Sequence, residues 1–222
     1  MGSRIIQKGC TSMTIINSYV NVNGSPAPAD PYPLLSRVTD DSNIDIGCVA
    51  GYHFDASNQK YAVVCLNAEH RPAATQVFTE TSDMNNLNLP NAWDSSAYAQ
   101  LNTATQNCDA ILASLQTGTS PAVSNCRLKT FTISGIIYSG QLPTLGELMS
   151  IISFMTQINN SDPTVTQYSS RIISATTDYW CSTKNEPGEM WLLGGSRTSG
   201  KTYDMAPNRD CSILPVLEIP IN

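Results

Sequence analysis

Charged side chains are scarce in this sequence: Asp, Glu, Lys and Arg make up 14% of its 222 residues. The 18 acidic residues outnumber the 12 basic ones, which gives a formal net charge of -6. Nucleic-acid binding depends on clustered Lys and Arg side chains that neutralise phosphates, so we expect no nucleic-acid partner. Asn, Ser and Thr replace many of the missing charges, and this polar but weakly charged composition is typical of a β-rich surface.

Long apolar runs are missing as well. No segment approaches the length that a transmembrane helix needs, so we expect no membrane insertion. The N-terminal sequence MGSRIIQKGCTSM has no apolar core of the kind that signal peptides carry. Such a chain either stays where it is made or is carried outside as part of an assembly, and virions are such an assembly because they leave cells by lysis.

Signatures of metal and catalytic sites are few. The seven cysteines include no C-x-x-C pair, so we expect no structural zinc site. Buried free thiols are the favoured interpretation of the cysteines, although Cys181 and Cys211 flank the late polar loops and could approach each other. His53 and His70 are the only histidines, and no G-x-S-x-G motif supplies a nucleophile. We therefore predict neither an enzyme nor a cofactor.

The stretch over 179–219 contains short apolar runs separated by polar loops. Runs at 179–181, 190–193 and 213–219 are bounded by Gly, Pro, Asn and Asp and are too brief for helices, so they predict strands. The loops between them carry most of the late charge. Strands that hold the ends of irregular polar loops favour a scaffold that presents a surface.

One loop contains a phosphate-binding pattern. Residues 195–202, GSRTSGKT, match G-x-x-x-x-G-K-[ST]. In a phosphate loop a helix follows directly, so that its backbone N–H groups face the phosphates. Pro207 would interrupt that helix within its first turns, and we interpret the segment as a glycine-rich hairpin loop.

Two amphipathic patterns predict helices over 101–116 and 144–158. The first has apolar residues at i, i+3, i+4 and i+7, and Gly118 and Pro121 follow it as helix-ending residues. The second begins with Thr144 and Glu147, which form a capping box. We also predict a hairpin over 46–66 with its turn at 55–58, and a single strand over 131–138.

The first 40 residues differ from the rest. Apolar pieces at 5–6 and 15–16 accompany a proline-rich segment over 23–33. We predict that residues 1–40 form an arm or linker that mediates association into a homo-oligomer, a trimer. Residues 41–222 are predicted to form an α+β ligand-binding domain, because the helices do not alternate with parallel strands. Near its start, Asp41, Asn43 and Asp45 alternate like calcium ligands but lack the following Gly and Glu, so a turn is favoured.

A family resemblance rests on motifs in a particular order. They are GQLPTLGEL at 140–148, YWCST at 179–183, MW at 190–191 and LPV at 214–216. In order and spacing they resemble the C-type-lectin-like domains of bacterial surface adhesins and phage receptor-binding proteins. The resemblance covers roughly 44–219 and implies two helices packed on small antiparallel sheets. The chain departs from the family pattern at Gln141, Cys181 and Leu214.

The resemblance also implies a ligand face. Calcium-dependent members use Glu-Pro-Asn and Trp-Asn-Asp triplets, which this chain lacks, so no metal site is expected. In phage members, the stretch before the final strand is a variable face that in some systems a diversity-generating retroelement diversifies. The corresponding ligand-binding residues here are Lys184, Asn185, Glu186, Glu189, Arg197, Ser199, Lys201, Tyr203, Asn208, Arg209 and Asp210.

The implied function is non-enzymatic host attachment. The chain would lie on a phage virion, in a tail or head fibre, or on a bacterial cell surface, and would bind a cell-surface glycan or protein. One alternative is a structural module that decorates a fibre or capsid, with loops that contact only neighbouring subunits. Another is an oxidase related to formylglycine-generating enzymes, for which Cys181 and Cys211 are the candidate pair.

Overall fold

The computed structural model has the mixed α+β architecture that the sequence predicts. It describes residues 30–72, 75–76, 78, 87–90, 101–115, 119–161, 178–185, 189–194, 202–205 and 210–221. These residues contain four α-helices and three small antiparallel sheets. From Tyr32 onward they belong to one unit, Tyr32–Asn222. None of the helices in this part of the chain is long and apolar enough to cross a membrane.

Strands and helices alternate irregularly along the described residues. The strands are β1 (Arg37–Thr39), β2 (Asp45–Phe54), β3 (Lys60–Leu66), β4 (Thr130–Ile133), β5 (Ile136–Ser139), β6 (Asp178–Lys184), β7 (Met190–Gly194), β8 (Thr202–Met205) and β9 (Val216–Ile221). The helices are α1 (Ala104–Ser114), α2 (Pro121–Arg127), α3 (Leu145–Ser153) and α4 (Met155–Ser161).

The main sheet has the strand order β1–β2–β3–β9, and its neighbouring strands are antiparallel. The β2–β3 hairpin, which the sequence predicts over 46–66, is confirmed. The Asp55 carboxylate closes its turn by accepting the N–H groups of Ser57 at 2.8 Å and Gln59 at 3.0 Å. Asn58 has a φ of 61°, a left-handed conformation that Asn tolerates better than most residues.

β1 lies within the region that the sequence assigns to an N-terminal arm. It pairs with β2, with Arg37 opposite Cys48. The Arg37 guanidinium also forms an ion pair with the Asp45 carboxylate, with 2.5 Å between Nη2 and Oδ1. Residues from Tyr32 onward therefore belong to the folded unit. The rest of the predicted arm, residues 1–29, lies outside the described residues.

Residues 131–138, predicted as one strand, contain the turn of the β4–β5 hairpin, and this prediction is wrong. Ser134 and Gly135 at the turn have φ values of 52° and 77°. Positive φ at both central residues characterises a type I′ turn, whose twist matches that of the paired strands. The Asp41 carboxylate accepts the N–H groups of both turn residues, at 2.7 and 2.8 Å, and so helps to hold the turn.

Both predicted helices are present, and each begins with a capping box. Thr103 and Thr144 are the N-caps of α1 and α3, and the side chains of Gln106 and Glu147 accept the N-cap backbone N–H groups. The predicted helix over 144–158 is interrupted at Phe154, where its first part ends and α4 begins.

α2 is a helix that the sequence interpretation misses. Pro121, interpreted there as a helix-ending residue, instead lies in the first turn of α2. Ser120 is the N-cap, and its hydroxyl oxygen accepts the N–H of Val123. Proline suits the first helical position because its missing N–H would have no partner there and its φ already fits a helix.

β6 lies between two parts of the hydrophobic core. Tyr179 and Cys181 pack with residues of α3 and the main sheet. Trp180 packs on the other side, with residues of α1 and α2. Because alternate residues of a strand point to opposite faces, β6 is covered on both. The remaining core lies between the main sheet and the β4–β5 hairpin, where Phe131 packs against it.

We expect Gly47→Ala to destabilise the main sheet. A Cβ at Gly47 would lie 2.3 Å from the backbone carbonyl oxygen of Cys65 on β3, so the paired strands would have to separate. Overpacking of this kind costs about 1–3 kcal/mol in the free energy of unfolding. Urea denaturation measures the loss, and Ser57→Ala in the exposed β2–β3 turn is the control. Equal stability of the two variants would contradict the prediction.

Candidate functional site

The loop-bearing sheet, β6–β7–β8, carries the polar loops that the sequence predicts as a ligand face. β7 is its central strand and is antiparallel to both neighbours. Trp180 anchors β6: its ring is fully buried, and its Nε1–H donates to the carbonyl oxygen of Gln76 at 2.9 Å. Phe78 meets the ring edge-on, with centroids 5.5 Å apart. A buried indole with its donor satisfied fixes the strand from which the first loop departs.

The predicted face residues divide into described and undescribed sets. Those within the described residues are Lys184, Asn185, Glu189, Tyr203 and Asp210. The others, which lie outside the described residues, are Glu186, Arg197, Ser199, Lys201, Asn208 and Arg209. Glu189 is half-buried and Asp210 is exposed, while Tyr203 lies in β8 opposite Leu192 of β7.

Lys184 and Asn185 are buried at the end of β6. The Lys184 ammonium donates to the carbonyl oxygen of Leu87 at 3.1 Å, and burial lowers the pKa of this group. Asn185 closes the base of the loop, because its backbone N–H donates to the carbonyl oxygen of Glu189 and its Nδ2 donates to the Glu189 Oε2, both at 3.2 Å. The Lys184 and Asn185 side chains are therefore buried and are not part of an exposed face.

β8 bears directly on the phosphate-loop pattern at 195–202. In this chain Thr202 begins a strand, where it pairs with Leu193 of β7. A strand does not present the cluster of free N–H groups that the first turn of a helix offers to phosphate. The interpretation of this segment as part of a hairpin is therefore confirmed at Thr202, and 195–201 lie outside the described residues.

Cys181 and Cys211 are both buried free thiols, and they lie in different parts of the core. The Cys181 thiol donates to the carbonyl oxygen of Trp191 at 3.1 Å, and burial raises its pKa to about 12. A thiol with a raised pKa is a poor nucleophile and a poor metal ligand at neutral pH. The described residues contain no group of three or more His, Cys, Asp and Glu that could hold a metal ion.

Two buried glutamates meet at the starts of α1 and α3. Glu218 lies on β9, and its carboxylate accepts the N–H of Ala104 at 2.7 Å, the N–H of Thr105 at 2.8 Å and the Thr105 hydroxyl at 2.6 Å. The Glu147 Oε2 accepts the N–H of Thr144 at 2.8 Å. Each carboxyl group thus lies at the positive end of a helix dipole.

The Glu147 carboxyl group has an abnormal pKa. Burial raises its pKa well above the usual range, and the charge of the neighbouring Glu218 carboxylate raises it further, while hydrogen bonds from Thr144 oppose the shift. The Glu147 Oε1 accepts no hydrogen bond from the described residues, and the Nδ1 of His53 lies 3.6 Å from it. A proton kept on Glu147 lets the two carboxyl groups share a hydrogen bond in place of mutual repulsion.

The role of Glu218 is not predicted from the sequence, although the sequence contains a signal for it. Glu218 is the lone charge in the apolar run LPVLEIPI at the end of the chain. A carboxylate inside a buried strand requires several donors, because desolvation without them is costly. The sequence does not show which groups donate to Glu218, because Ala104, one of the donors, is 114 positions away.

Comparisons with known proteins do not identify the chain: no protein-family model matches it, and no significant match exists among the curated proteins.

We expect Glu147→Gln to remove a pH dependence of stability. Because the folded chain holds the Glu147 proton more tightly than the unfolded chain, this group stabilises the fold fully below its unfolded pKa, and the stabilisation is lost as pH rises towards the folded pKa. The loss approaches about 1.4 kcal/mol per pH unit for one proton. Gln keeps the capping box and carries no titrating proton.

Urea denaturation between about pH 5 and about pH 8 tests this sign. The parent chain should lose stability as pH rises, and Glu147→Gln should lose less and be the more stable of the two at the upper end. Gln157→Glu, which adds a carboxyl group on an exposed side chain of α4, is the control and should follow the parent. Parallel curves for the parent and Glu147→Gln would show that Glu147 is ionised in the fold.

Proposed function

We propose that this chain is a non-enzymatic receptor-binding protein with a C-type-lectin-like fold. In this proposal it is displayed on a phage virion or a bacterial cell surface, and the loops of the loop-bearing sheet contact a cell-surface glycan or protein. The observation that carries the proposal is the construction of β6, which is covered on both faces and ends in a polar loop closed by Asn185 and Glu189.

The arrangement of the helices supports this proposal. α1 packs against β6, and α3 packs against β2, β6 and β7. Two helices thus pack on small antiparallel sheets, as the resemblance implies. The motif residues also have structural roles, because Thr144 caps α3 and Trp180 fills the core beside α1.

Rigid loop roots also suit a binding surface. The Lys184 hydrogen bond to Leu87 and the double link between Asn185 and Glu189 restrict the end of β6 before any ligand arrives. Binding costs less conformational entropy when the groups that flank a site are ordered in advance. Because Lys184 and Asn185 are buried, the proposed contact residues are the other members of the predicted face. They are Glu186, Glu189, Arg197, Ser199, Lys201, Tyr203, Asn208, Arg209 and Asp210.

A structural module in a fibre or capsid is the second candidate, and exposed apolar side chains favour it. Ile136 and Ile137 at the tip of the β4–β5 hairpin are 55% and 72% exposed, and Leu128 before β4 is 76% exposed. Contacts with neighbouring subunits would remove these apolar side chains from water.

The first test of function concerns Tyr203 and Arg209. Tyr and Arg are the residue types enriched at energetic hot spots of interfaces, so Tyr203→Ala and Arg209→Ala should each weaken receptor binding by about 1–3 kcal/mol. Binding of the purified chain to a panel of bacterial cells measures the loss. Gln157→Ala, on an exposed side chain of α4, is the control and should bind like the parent.

Thermal melts separate loss of contact from loss of fold. Arg209→Ala should melt close to the parent, within about 0.5 kcal/mol, whereas Trp180→Ala should lose about 3–5 kcal/mol because its ring is fully buried. Because Tyr203 lies in β8, the melt of Tyr203→Ala shows whether its loss of binding includes a loss of fold. Trp191 is half-buried against the core, and its truncation should cost less. Undiminished cell binding by Tyr203→Ala and Arg209→Ala would remove the proposed face and favour the structural module.

Assembly is tested by truncation at the N-terminus. We propose that the arm drives trimerisation, so the full chain should sediment as a trimer and a chain that begins at Asp30 should sediment as a monomer. Truncation at Asp41 is unsuitable because it removes β1 and the ion pair of Arg37 with Asp45. Identical sedimentation of both chains at micromolar concentration would contradict a role for the arm.

A further inference from the structure

A polar cleft of about 480 Å³ opens beside the start of α1. It lies where α1, the end of α2, β5 and the edge of the main sheet meet. The lining residues are Tyr61, Thr103, Thr105, Gln106, Asp109, Arg127, Ile137, Tyr138, Ser139, Gln141 and Glu218. The volume is within the range of about 300–1,000 Å³ that small-molecule sites span. Among the described residues, no member of the predicted ligand face lines this cleft.

The charges that line the cleft are already compensated. The Arg127 Nη2 lies 2.6 Å from the Asp109 Oδ1, and the Arg127 Nε donates to the Gln141 Oε1 at 3.1 Å. The Glu218 carboxylate is taken up by the N–H groups at the start of α1. Since the described lining offers no unpaired cation, an anionic ligand such as a phosphate would gain little there.

Donors and acceptors remain free at the mouth of the cleft. The Gln106 Oε1 accepts the N–H of Thr103 at 2.9 Å, and the two N–H groups of the same amide have no partner among the described residues. The Asp109 Oδ2 accepts no hydrogen bond within the described part of the chain, and its side chain is 64% exposed. Neighbouring donors and acceptors of this kind match the hydroxyl group, which both donates and accepts.

Apolar surface lies beside these polar groups. Ile137, which is 72% exposed, lines the cleft together with Tyr61 and Tyr138. A ligand that presents hydroxyl groups at its edge and C–H groups on its face would satisfy both kinds of surface. Small-molecule sites combine apolar walls with a few oriented polar groups in the same way.

We propose that this cleft binds a neutral saccharide, with Gln106 and Asp109 as the residues that hydrogen-bond its hydroxyl groups. The ligand class follows from the compensated charges, from the adjacent donors and acceptors, and from the apolar wall at Ile137. The inference rests on the proposed receptor-binding function, which it deepens by naming the ligand chemistry and a second contact site. Two hydrogen bonds between side chains tie the site to the rest of the fold: the Thr105 hydroxyl donates to the Glu218 carboxylate, and the Arg127 Nε donates to the Gln141 Oε1.

The variants are Gln106→Glu and Asp109→Asn. Gln106→Glu keeps the capping box, because a Glu side chain can also accept the Thr103 N–H, and it removes both free amide donors. Asp109→Asn keeps the shape of an exposed side chain and removes the charge and one acceptor. Gln157→Glu makes the same substitution as Gln106→Glu on an exposed side chain of α4 and is the matched control.

The full chain is first applied to a printed array of neutral and acidic mono- and oligosaccharides. The strongest neutral saccharide is then titrated free in solution, with amide chemical shifts followed by NMR, and inorganic phosphate is titrated as a second probe. We expect shifts around the first turn of α1 and β5 with the saccharide. We expect about threefold to tenfold weaker binding for Gln106→Glu and Asp109→Asn, as loss of one or two hydrogen bonds implies, and no change for Gln157→Glu.

The outcomes separate this inference from the receptor-binding proposal. If Tyr203→Ala and Arg209→Ala lose saccharide binding while Gln106→Glu and Asp109→Asn retain it, the saccharide does not bind in the cleft. The proposal that the loop face binds the receptor then stands. The proposed ligand class is also overturned if no neutral saccharide on the array binds the chain. It is overturned likewise if phosphate reverses the chemical-shift changes that the saccharide causes at the cleft. Loss of saccharide binding in Gln106→Glu and Asp109→Asn alone supports binding in the cleft. If none of the four variants changes cell binding, both proposals are overturned.

Discussion

The burial of β6 on both faces is the constraint on which the rest of this structure depends. Trp180 fills the core beside α1 and α2, while Tyr179 and Cys181 fill the core beneath α3. The same strand also holds other segments by backbone hydrogen bonds, because the Trp180 N–H donates to the carbonyl oxygen of Ser212 and the Ser182 N–H donates to that of Pro143. A strand held in this way cannot shift register without exposing its large side chains on one face or the other. The loops that leave its end therefore begin from a fixed position.

That constraint also explains the buried glutamates. Because α1 and α3 both begin within this core, the N–H groups of their first turns are removed from water and need acceptors. Glu218 supplies them for α1, and Glu147 does so for α3 within its own capping box. Two carboxyl groups brought this close cannot both carry a full charge at low cost, and burial raises the pKa of Glu147 as a result. The stability that the protonated Glu147 carboxyl group contributes is therefore lost as pH rises towards its folded pKa.

The surfaces proposed for binding have different relations to this scaffold. The proposed loop face follows β6 in the sequence, after Lys184 and Asn185, whose side chains hydrogen-bond Leu87 and Glu189. The cleft lies on the α1 and β5 side, and its floor includes Glu218, the side chain that caps α1. Substitution in the loops leaves the core contacts of β6 in place, so that part of the chain can vary in sequence at little cost to folding. The sequence of the cleft can vary less, because Thr105 and Glu218 both line the cleft and hold the start of α1 in place.

The sequence by itself determined the local elements. Alternating and short apolar runs predicted the β2–β3 hairpin and strands β6 and β7, and the capping box at Thr144 located the start of α3, because these signals come from neighbours within a few residues. The Ser134–Gly135 turn and the Ser120–Pro121 start of α2 were also local signals, which the interpretation missed. Only the tertiary structure decided that Lys184 and Asn185 are buried, that Glu218 caps α1 and that a cleft forms beside it. Those features require contacts between segments far apart in the chain, and spacing along a sequence does not specify which strand end or helix start a side chain will meet.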